Sequence, residues 1–314
     1  HNFGGVQTPT GKENAGIPIT QIIDDIKGRF EDYAIPPPPT PGGGEPPPTV
    51  ALAAGKQVWS VGAGYPVLNR VTFQNTLLQM LPAGAAQVLR VRGSRYSGRT
   101  FSLRIAQRYL AQLGHTIVTL SAISMNDATP ETFVGEICGR LSLRPVQLPA
   151  GADLSTRASL AQRHLLTTFL AQLREAFPDV TAERKQVWIC IDALDQAPLT
   201  NEIHELLAAL AQRIGELPAL RLVLIGYEHE LPYDVDPLLT EENIAPVTVG
   251  DVDDYIRYLC EHVSRPITAD KSLQLAQEII SSAPTDPPRR LRAIAQKVQE
   301  ISGRLQQKRE HDFG

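Results

Sequence analysis

Apolar positions recur along most of the chain with one of two periods, and their order describes strands alternating with helices. Val88-Leu89-Arg90-Val91 anchors an apolar run that predicts a strand over about 86–92. Leu103, Ile105, Ala106, Tyr109 and Leu110 follow at helical spacing, a helix over about 98–113 that stops at Gly114. His115 to Ala122 alternates and reads as a second strand. Thr129-Pro130-Glu131 opens a helix with Phe133, Ile137 and Leu141 on one face and Pro at its first position. A long helix covers about 156–177. Val187 to Ile191 and Leu220 to Ile225 are continuously apolar, as strands buried on both faces should be. A helix over about 201–215 separates them, and Ile244 to Val249 reads as an edge strand. Three helices finish the chain near 251–264, 270–282 and 288–306. Ahead of the first strand, Phe73, Leu77, Leu78 and Leu81 place one more helix after Leu68-Asn69-Arg70. Strands alternating with helices imply a parallel sheet covered on both faces.

The N-terminal part differs. Within 1–34, Ile22, Ile23, Ile26 and Phe30 fall at helical spacing, with Thr20 as N-cap and Asp24 and Asp25 in the first turn. Residues 35–49 hold four consecutive prolines, three consecutive glycines and a further Pro triplet. Such a run cannot pair in a sheet or continue a helix, so it reads as an extended, solvated linker open to proteases. The expected organisation is a short segment 1–34, the linker 35–49, an α/β domain 50–250 and a helical C-terminal domain 251–314.

Composition narrows the class. The 314 residues are 42% hydrophobic and 20% charged with a formal net charge of −4, which gives no clear nucleic-acid signal and no demand for an anionic membrane. No apolar run approaches the ~20 residues that span a bilayer. The chain begins with His1 and no signal-like segment follows, so it reads as a piece of a longer polypeptide. Cys138, Cys190 and Cys260 are sparse and lie in apolar patterns, which suits a reducing, cytoplasmic setting. The seven histidines form no H-x-x-x-H pair, so no structural metal site is expected. Gly62-Ala63-Gly64 lacks the third glycine of a dinucleotide fingerprint, and the acidic stretches near 234–242 and 251–254 lack a calcium-loop pattern.

The chemistry sits in Gly93-Ser94-Arg95-Tyr96-Ser97-Gly98-Arg99-Thr100. Gly, four residues, Gly, one residue, Thr, between a strand and a helix, is the phosphate-loop pattern. Such a loop aims backbone N–H groups at a phosphate, with the positive end of a helix dipole behind them. Arg99 stands where Lys is usual, and its planar fork does not replace a compact ammonium. About 90 residues on, the apolar strand ends in Asp192-Ala193-Leu194-Asp195-Gln196. A carboxylate at such a strand end is the usual partner of a phosphate loop, so Thr100 and Asp192 are the candidate magnesium positions.

With these two motifs in order, residues 65–305 resemble the STAND class of signalling P-loop NTPases, near NACHT modules and the wider AAA-like group. The resemblance implies the P-loop NTPase α/β fold, with helices on both faces of a parallel sheet and a C-terminal helical lid. It implies ATP with Mg²⁺ as cofactors, or none where the site has fully eroded. It places Arg70, Gly93, Ser97, Gly98, Arg99, Thr100 and Phe101 at the nucleotide, and Asp192, Asp195 and Gln196 at the reacting phosphate of an active member. Leu68-Asn69-Arg70 resembles the adenine-contacting segment, with Asn69 in place of Gly. Asp251-Val-Asp-Asp-Tyr255-Ile256 resembles the start of the lid, and Arg289 or Arg290 lies where a lid residue could reach a phosphate.

The departures are consistent. Ala193 replaces a Gly, Gln196 replaces the water-polarising Glu, and Gly226-Tyr227-Glu228 brings no γ-phosphate donor beyond a Tyr hydroxyl. An amide cannot act as a general base. The chain is therefore most similar to inactive STAND modules of bacterial conflict and signalling systems, which implies a sensor, switch or scaffold. The implied partners are an effector fused or associated upstream of residue 1, other proteins, or further copies of the chain. Two other readings follow from the same residues: an active ATPase using a Gly-Arg-Thr loop with Asp195 orienting water, and a ligand-free scaffold. Gly16-Ile-Pro-Ile19 followed by an amphipathic helix also faintly resembles the C-terminal end of trypsin-like peptidase domains. Finally, because loop and acid must share one ion, the strands ending at Val91 and Asp192 are expected to be neighbours.

Overall fold

The computed structural model describes residues 57–61, 64–82, 84–146, 154–177, 185–262 and 266–312. All of them lie in one compact unit, Ala51–Gly314. The expectations for 1–34 and 35–49 fall outside the described residues.

A short antiparallel pair, β1 (Ser60–Val61) and β2 (Tyr65–Pro66), leads into helix α1 (Val71–Gln79). The α/β run follows: β3 (Val88–Gly93), α2 (Arg99–Gln112), β4 (Thr116–Ser121), α3 (Pro130–Arg140), α4 (Leu154–Ala176), β5 (Val187–Asp192), α5 (Asn201–Arg213), β6 (Leu220–Ile225) and β7 (Leu239–Ile244). Three helices close the chain: α6 (Val249–His262), α7 (Ala269–Ser282) and α8 (Pro287–Asp312).

The five strands β3 to β7 form a parallel sheet in the order β4-β5-β6-β3-β7. Alternate strand residues feed two cores, as the period of two requires. Val88, Val118, Ile189, Ile191, Leu222 and Leu224 pack under α3, α4 and α5 through Phe133, Phe169 and Leu207. Leu89, Val91, Trp188, Cys190, Val223 and Ile225 pack under α1 and α2 through Phe73, Leu77, Ile105 and Tyr109. A third cluster, with Val252, Tyr255, Ile256, Ala276, Ile279, Ile294 and Val298, joins the three C-terminal helices. This is the α/β fold of a P-loop NTPase.

Two expectations need correction. The strands ending at Val91 and Asp192 are not neighbours, because β6 lies between them. The shared site survives because β6 stops at Ile225 and turns away at Gly226. The Gly226 N–H donates to the Val91 carbonyl at 2.9 Å, and the Leu194 N–H to the Ile225 carbonyl at 3.1 Å. The loop and the acid therefore meet over the end of β6. The edge strand is Leu239–Ile244, not 244–249. Pro246 has no N–H to give a ladder. The real strand hid its identity by carrying Glu241 and Glu242, and Glu241 sits in register with Arg90 of β3 and forms an ion pair with it. A cross-strand charge pair replaces the apolar signal a sequence search looks for.

Candidate nucleotide site

The loop spans Gly93 at the end of β3 to Thr100 in the first turn of α2. Gly93 is required by a close approach to backbone, and Gly98 by its left-handed conformation. At Gly93 (φ +152°) a Cβ would lie 2.7 Å from the Ile244 carbonyl oxygen and 2.9 Å from Ser97 Oγ. Gly98 caps α2 at φ +83°, where a Cβ would lie 2.8 Å from Leu291 Cδ2 and 3.0 Å from Arg70 Nη2. Leu291 belongs to α8, so the C-terminal helices reach the loop. Between the glycines the chain turns tightly: the Ser97 N–H donates to the Ser94 carbonyl at 3.1 Å, and Tyr96 takes φ +67°. The Arg95 guanidinium lies 5.2 Å from the Tyr96 ring centroid. Phe101 packs beside the α1–α2 core, and its N–H donates to the Gly98 carbonyl at 2.9 Å.

Arg70 clamps this loop from behind. It is buried, and Nη2 donates to the carbonyls of Ser97 (2.9 Å) and Gly98 (3.1 Å), while Nη1 donates to the Asn69 carbonyl at 2.5 Å. Burial lowers its pKa to about 10, against the opposing pull of Asp251 and Glu242. Its guanidinium is thus engaged with the loop backbone. Asn69, in place of a family glycine, keeps a left-handed backbone at φ +52°, and its amide donates to the Ala245 and Pro246 carbonyls at 2.8 and 3.2 Å. Asn is among the few side chains that tolerate this region.

Opposite the loop, Asp192 is buried at the end of β5, within hydrogen-bonding reach of the Thr100 hydroxyl. Burial pushes its carboxyl above the usual carboxylate range. The Ala193 N–H, the Thr100 hydroxyl and the Arg99 charge oppose that shift, and Asp195 reinforces it. Asp192 Oδ1 is buried without a hydrogen-bond partner, and so is Ser97 Oγ. Ala193, also standing for a family glycine, holds φ +60°, so the turn after β5 keeps its left-handed shape despite the Cβ.

Arg99 does not point out of the loop. Its side chain is 7% exposed and Nη2 pairs with Asp195 Oδ2 at 2.5 Å, the Asp195 side chain being 17% exposed. The carboxylate leans against Gly226 (φ +78°), where a Cβ would overlap Oδ1 and lie 3.1 Å from Cγ. Gln196 is exposed. The Tyr227 hydroxyl faces away, toward the His204 carbonyl at 3.5 Å, its ring grouped with His204 and His229. Arg289 is 83% exposed and lies 3.6 Å from Asp286, while Arg290 turns back to the Pro284 and Ile280 carbonyls. Beside the ion pair, Arg92, Gly93, Arg99, Gly226, Glu228 and Asn243 line a polar cleft of about 350 Å³.

The structure thus gathers Arg70, Gly93, Ser97, Gly98, Arg99, Thr100, Asp192 and Asp195 in one place. Phe101 turns toward the core, and Gln196, Arg289 and Arg290 have their side chains elsewhere. The pairing of Arg99 with Asp195 and the notch at Gly226 were not foreseen. A glycine directly after a continuously apolar strand was the available signal for the notch.

No protein-family model matches the sequence, and no curated protein matches it. Solved structures align with it loosely. AMPPCP-bound DnaA from Aquifex aeolicus aligns over 77% of this chain and 62% of its own, at 12% identity and TM-score 0.37. Drosophila ORC bound to DNA aligns over 76% and 65%, at 14% identity and TM-score 0.40. A STAND protein with a tetratricopeptide repeat sensor from Pyrococcus horikoshii aligns over 69% of this chain but 28% of its own, at 12% identity and TM-score 0.36. The chain spans less than two thirds of each. The fold class rests on the parallel sheet and on the loop and acid at its carboxyl edge. No helix among the described residues is long and apolar enough to cross a membrane.

Proposed function

We propose that this chain is a degenerate P-loop module that regulates a larger assembly and turns over little or no nucleotide. One observation carries the proposal: the loop cation Arg99 is paired with Asp195 and buried. A catalytic loop needs its cation free for the β- and γ-phosphates, and the active-ATPase reading needs Asp195 free to orient water. The pair uses both groups at once. Gln196 is an exposed amide that offers no base, and Tyr227 directs its hydroxyl away.

The magnesium side of the site has kept its residues. Thr100 and the buried, unpartnered Asp192 Oδ1 fit a hydrated Mg²⁺, and the Gly93–Thr100 loop fits a phosphate chain. When bound, the ion would neutralise phosphate charge. The chain's own groups would then hold the nucleotide weakly and leave its γ-phosphate intact. A module of this kind works through conformation or association. Leu291 beside Gly98 gives the C-terminal helices a direct contact with the loop through which occupancy could be read. The partners proposed are an effector fused or associated upstream of residue 1 and further copies of the chain, in a cytoplasmic signalling or defence protein.

The test is phosphate release from ATP and GTP, comparing wild type with Arg99→Lys/Gln196→Glu. Background rates for wild type and a slow gain in the double variant support the proposal. Wild-type turnover well above background, depending on Mg²⁺, contradicts it.

A further inference from the structure

The Asp195 side chain is only 17% exposed although the residue as a whole lies at the surface. An aspartate side chain three residues past a strand end would ordinarily be solvated. Here three features hold it inward. Its Oδ2 receives the Arg99 guanidinium at 2.5 Å. Its Oδ1 and Cγ fill the space over Gly226 that a Cβ would otherwise occupy. Its backbone is fixed by the turn in which the Gln196 N–H donates to the Ala193 carbonyl at 3.0 Å, with Ala193 at φ +60°. A carboxylate on the loop cation occupies the chemical role of a phosphate oxygen: an anionic acceptor for a guanidinium fork. The polar cleft beside this pair is lined by Arg92, Gly93, Arg99, Gly226 and Asn243, donors of the type phosphates use among them, with Glu228 as its one carboxylate.

We propose that Asp195 is an internal pseudo-ligand, a built-in competitor that holds the phosphate loop closed until a polyphosphate displaces it from Arg99. This rests on the degenerate P-loop reading above and deepens it. It makes the weak binding expected there a consequence of competition rather than of a lost site. Once displaced, the Asp195 carboxylate leaves the space over Gly226, so ligand arrival is coupled to a rearrangement beside the turn after β5. The lock also predicts which ligands compete. Groups with several adjacent anionic oxygens can satisfy the guanidinium fork as the carboxylate does, whereas a nucleoside lacking phosphates cannot.

Calorimetric titration of the full chain with inorganic triphosphate and with ATP, each with and without Mg²⁺, tests this. Four proteins are needed: wild type, Asp195→Asn, Gly226→Ala and Asp195→Asn/Arg99→Ala. If the locked form holds about nine molecules in ten, release should tighten apparent affinity by roughly tenfold. Asp195→Asn is expected to show at least that gain for both ligands. Gly226→Ala keeps the carboxylate's charge but fills its seat, and is expected to gain in the same direction, which simple removal of a negative charge does not explain. Adding Arg99→Ala should abolish the gain. Thermal melts confirm that each variant is folded, and adenosine should bind none of them more tightly than wild type. Equal triphosphate affinity in wild type and folded Asp195→Asn overturns the lock, as does a gain that persists without Arg99 or a gain absent in folded Gly226→Ala. None of these outcomes alters the hydrolysis test. Turnover by wild type would overturn the degenerate reading whatever the binding results, and an absent lock with no turnover would leave that reading standing.

Discussion

The Arg99–Asp195 pair should be visible as a stability coupling in the ligand-free protein. The two side chains are 7% and 17% exposed, so solvent screens them weakly. With charge centres about 4 Å apart and an effective dielectric near 20, the gross attraction is about 4 kcal/mol. Desolvation of both ions offsets much of it, which leaves a coupling of about 1–3 kcal/mol. Asp195→Ala strands a buried guanidinium and is expected to cost about 2–3 kcal/mol. Arg99→Ala leaves the more exposed carboxylate and should cost about 2 kcal/mol. The double substitution removes both ions together and should cost clearly less than the two singles combined. Urea unfolding of the four proteins in the absence of nucleotide completes the cycle. Thermal melts should show the same ranking, at about 2–4 °C per kcal/mol for a domain of this size. Costs that add to within about 0.5 kcal/mol would show that the pair contributes nothing, and the assignment of Arg99 to Asp195 would fall with it.

Three further outcomes follow from other parts of the molecule. Asp192 has a folded-state pKa raised chiefly by burial, so its contribution is favourable below the unfolded value near 3.9 and is lost as pH rises through the folded value. Asp192→Asn should therefore stabilise the ligand-free protein at pH 7, with the gain shrinking toward zero in acid; a variant less stable than wild type at pH 7 would contradict this. Gly93→Ala places a Cβ 2.7 Å from the Ile244 carbonyl and should force β3 from β7 at a cost of about 2–3 kcal/mol in urea unfolding, where a cost below ~0.5 kcal/mol would be contrary. All three thiols are buried, and burial pushes Cys190 up to about 12. The native protein should therefore resist DTNB at pH 8 while urea exposes all three, and fast native labelling would refute that packing.

Much of the fold could be read from the sequence, for reasons visible in particular elements. β5 and β6 are continuously apolar because both faces are covered, and α5 and α6 carry clean apolar stripes, so period and length marked them correctly. β7 escaped because it lies at an edge, where Glu241 faces Arg90 rather than a hydrophobic layer. Strand order was misjudged because composition along a strand carries no information about which neighbour it will pair with. At the site, the motif spacing located the loop and the acid. It could not show where Arg99 would aim, since that depends on Asp195, about a hundred residues away in sequence, and on the notch at Gly226. Asn69 and Ala193 illustrate the same limit: they look like lost glycines, yet both keep the left-handed backbone those glycines would have supplied.

The central claim, a phosphate loop whose cation and carboxylate occupy each other instead of serving catalysis, meets its most direct test in a single-turnover measurement. Wild type in excess over radiolabelled ATP with Mg²⁺, followed for hours beside Thr100→Ala, reports hydrolysis without relying on tight binding or product release. The account predicts that both proteins convert ATP no faster than buffer. Conversion by wild type that disappears in Thr100→Ala would contradict it, and would establish an ATPase that uses a Gly-Arg-Thr loop.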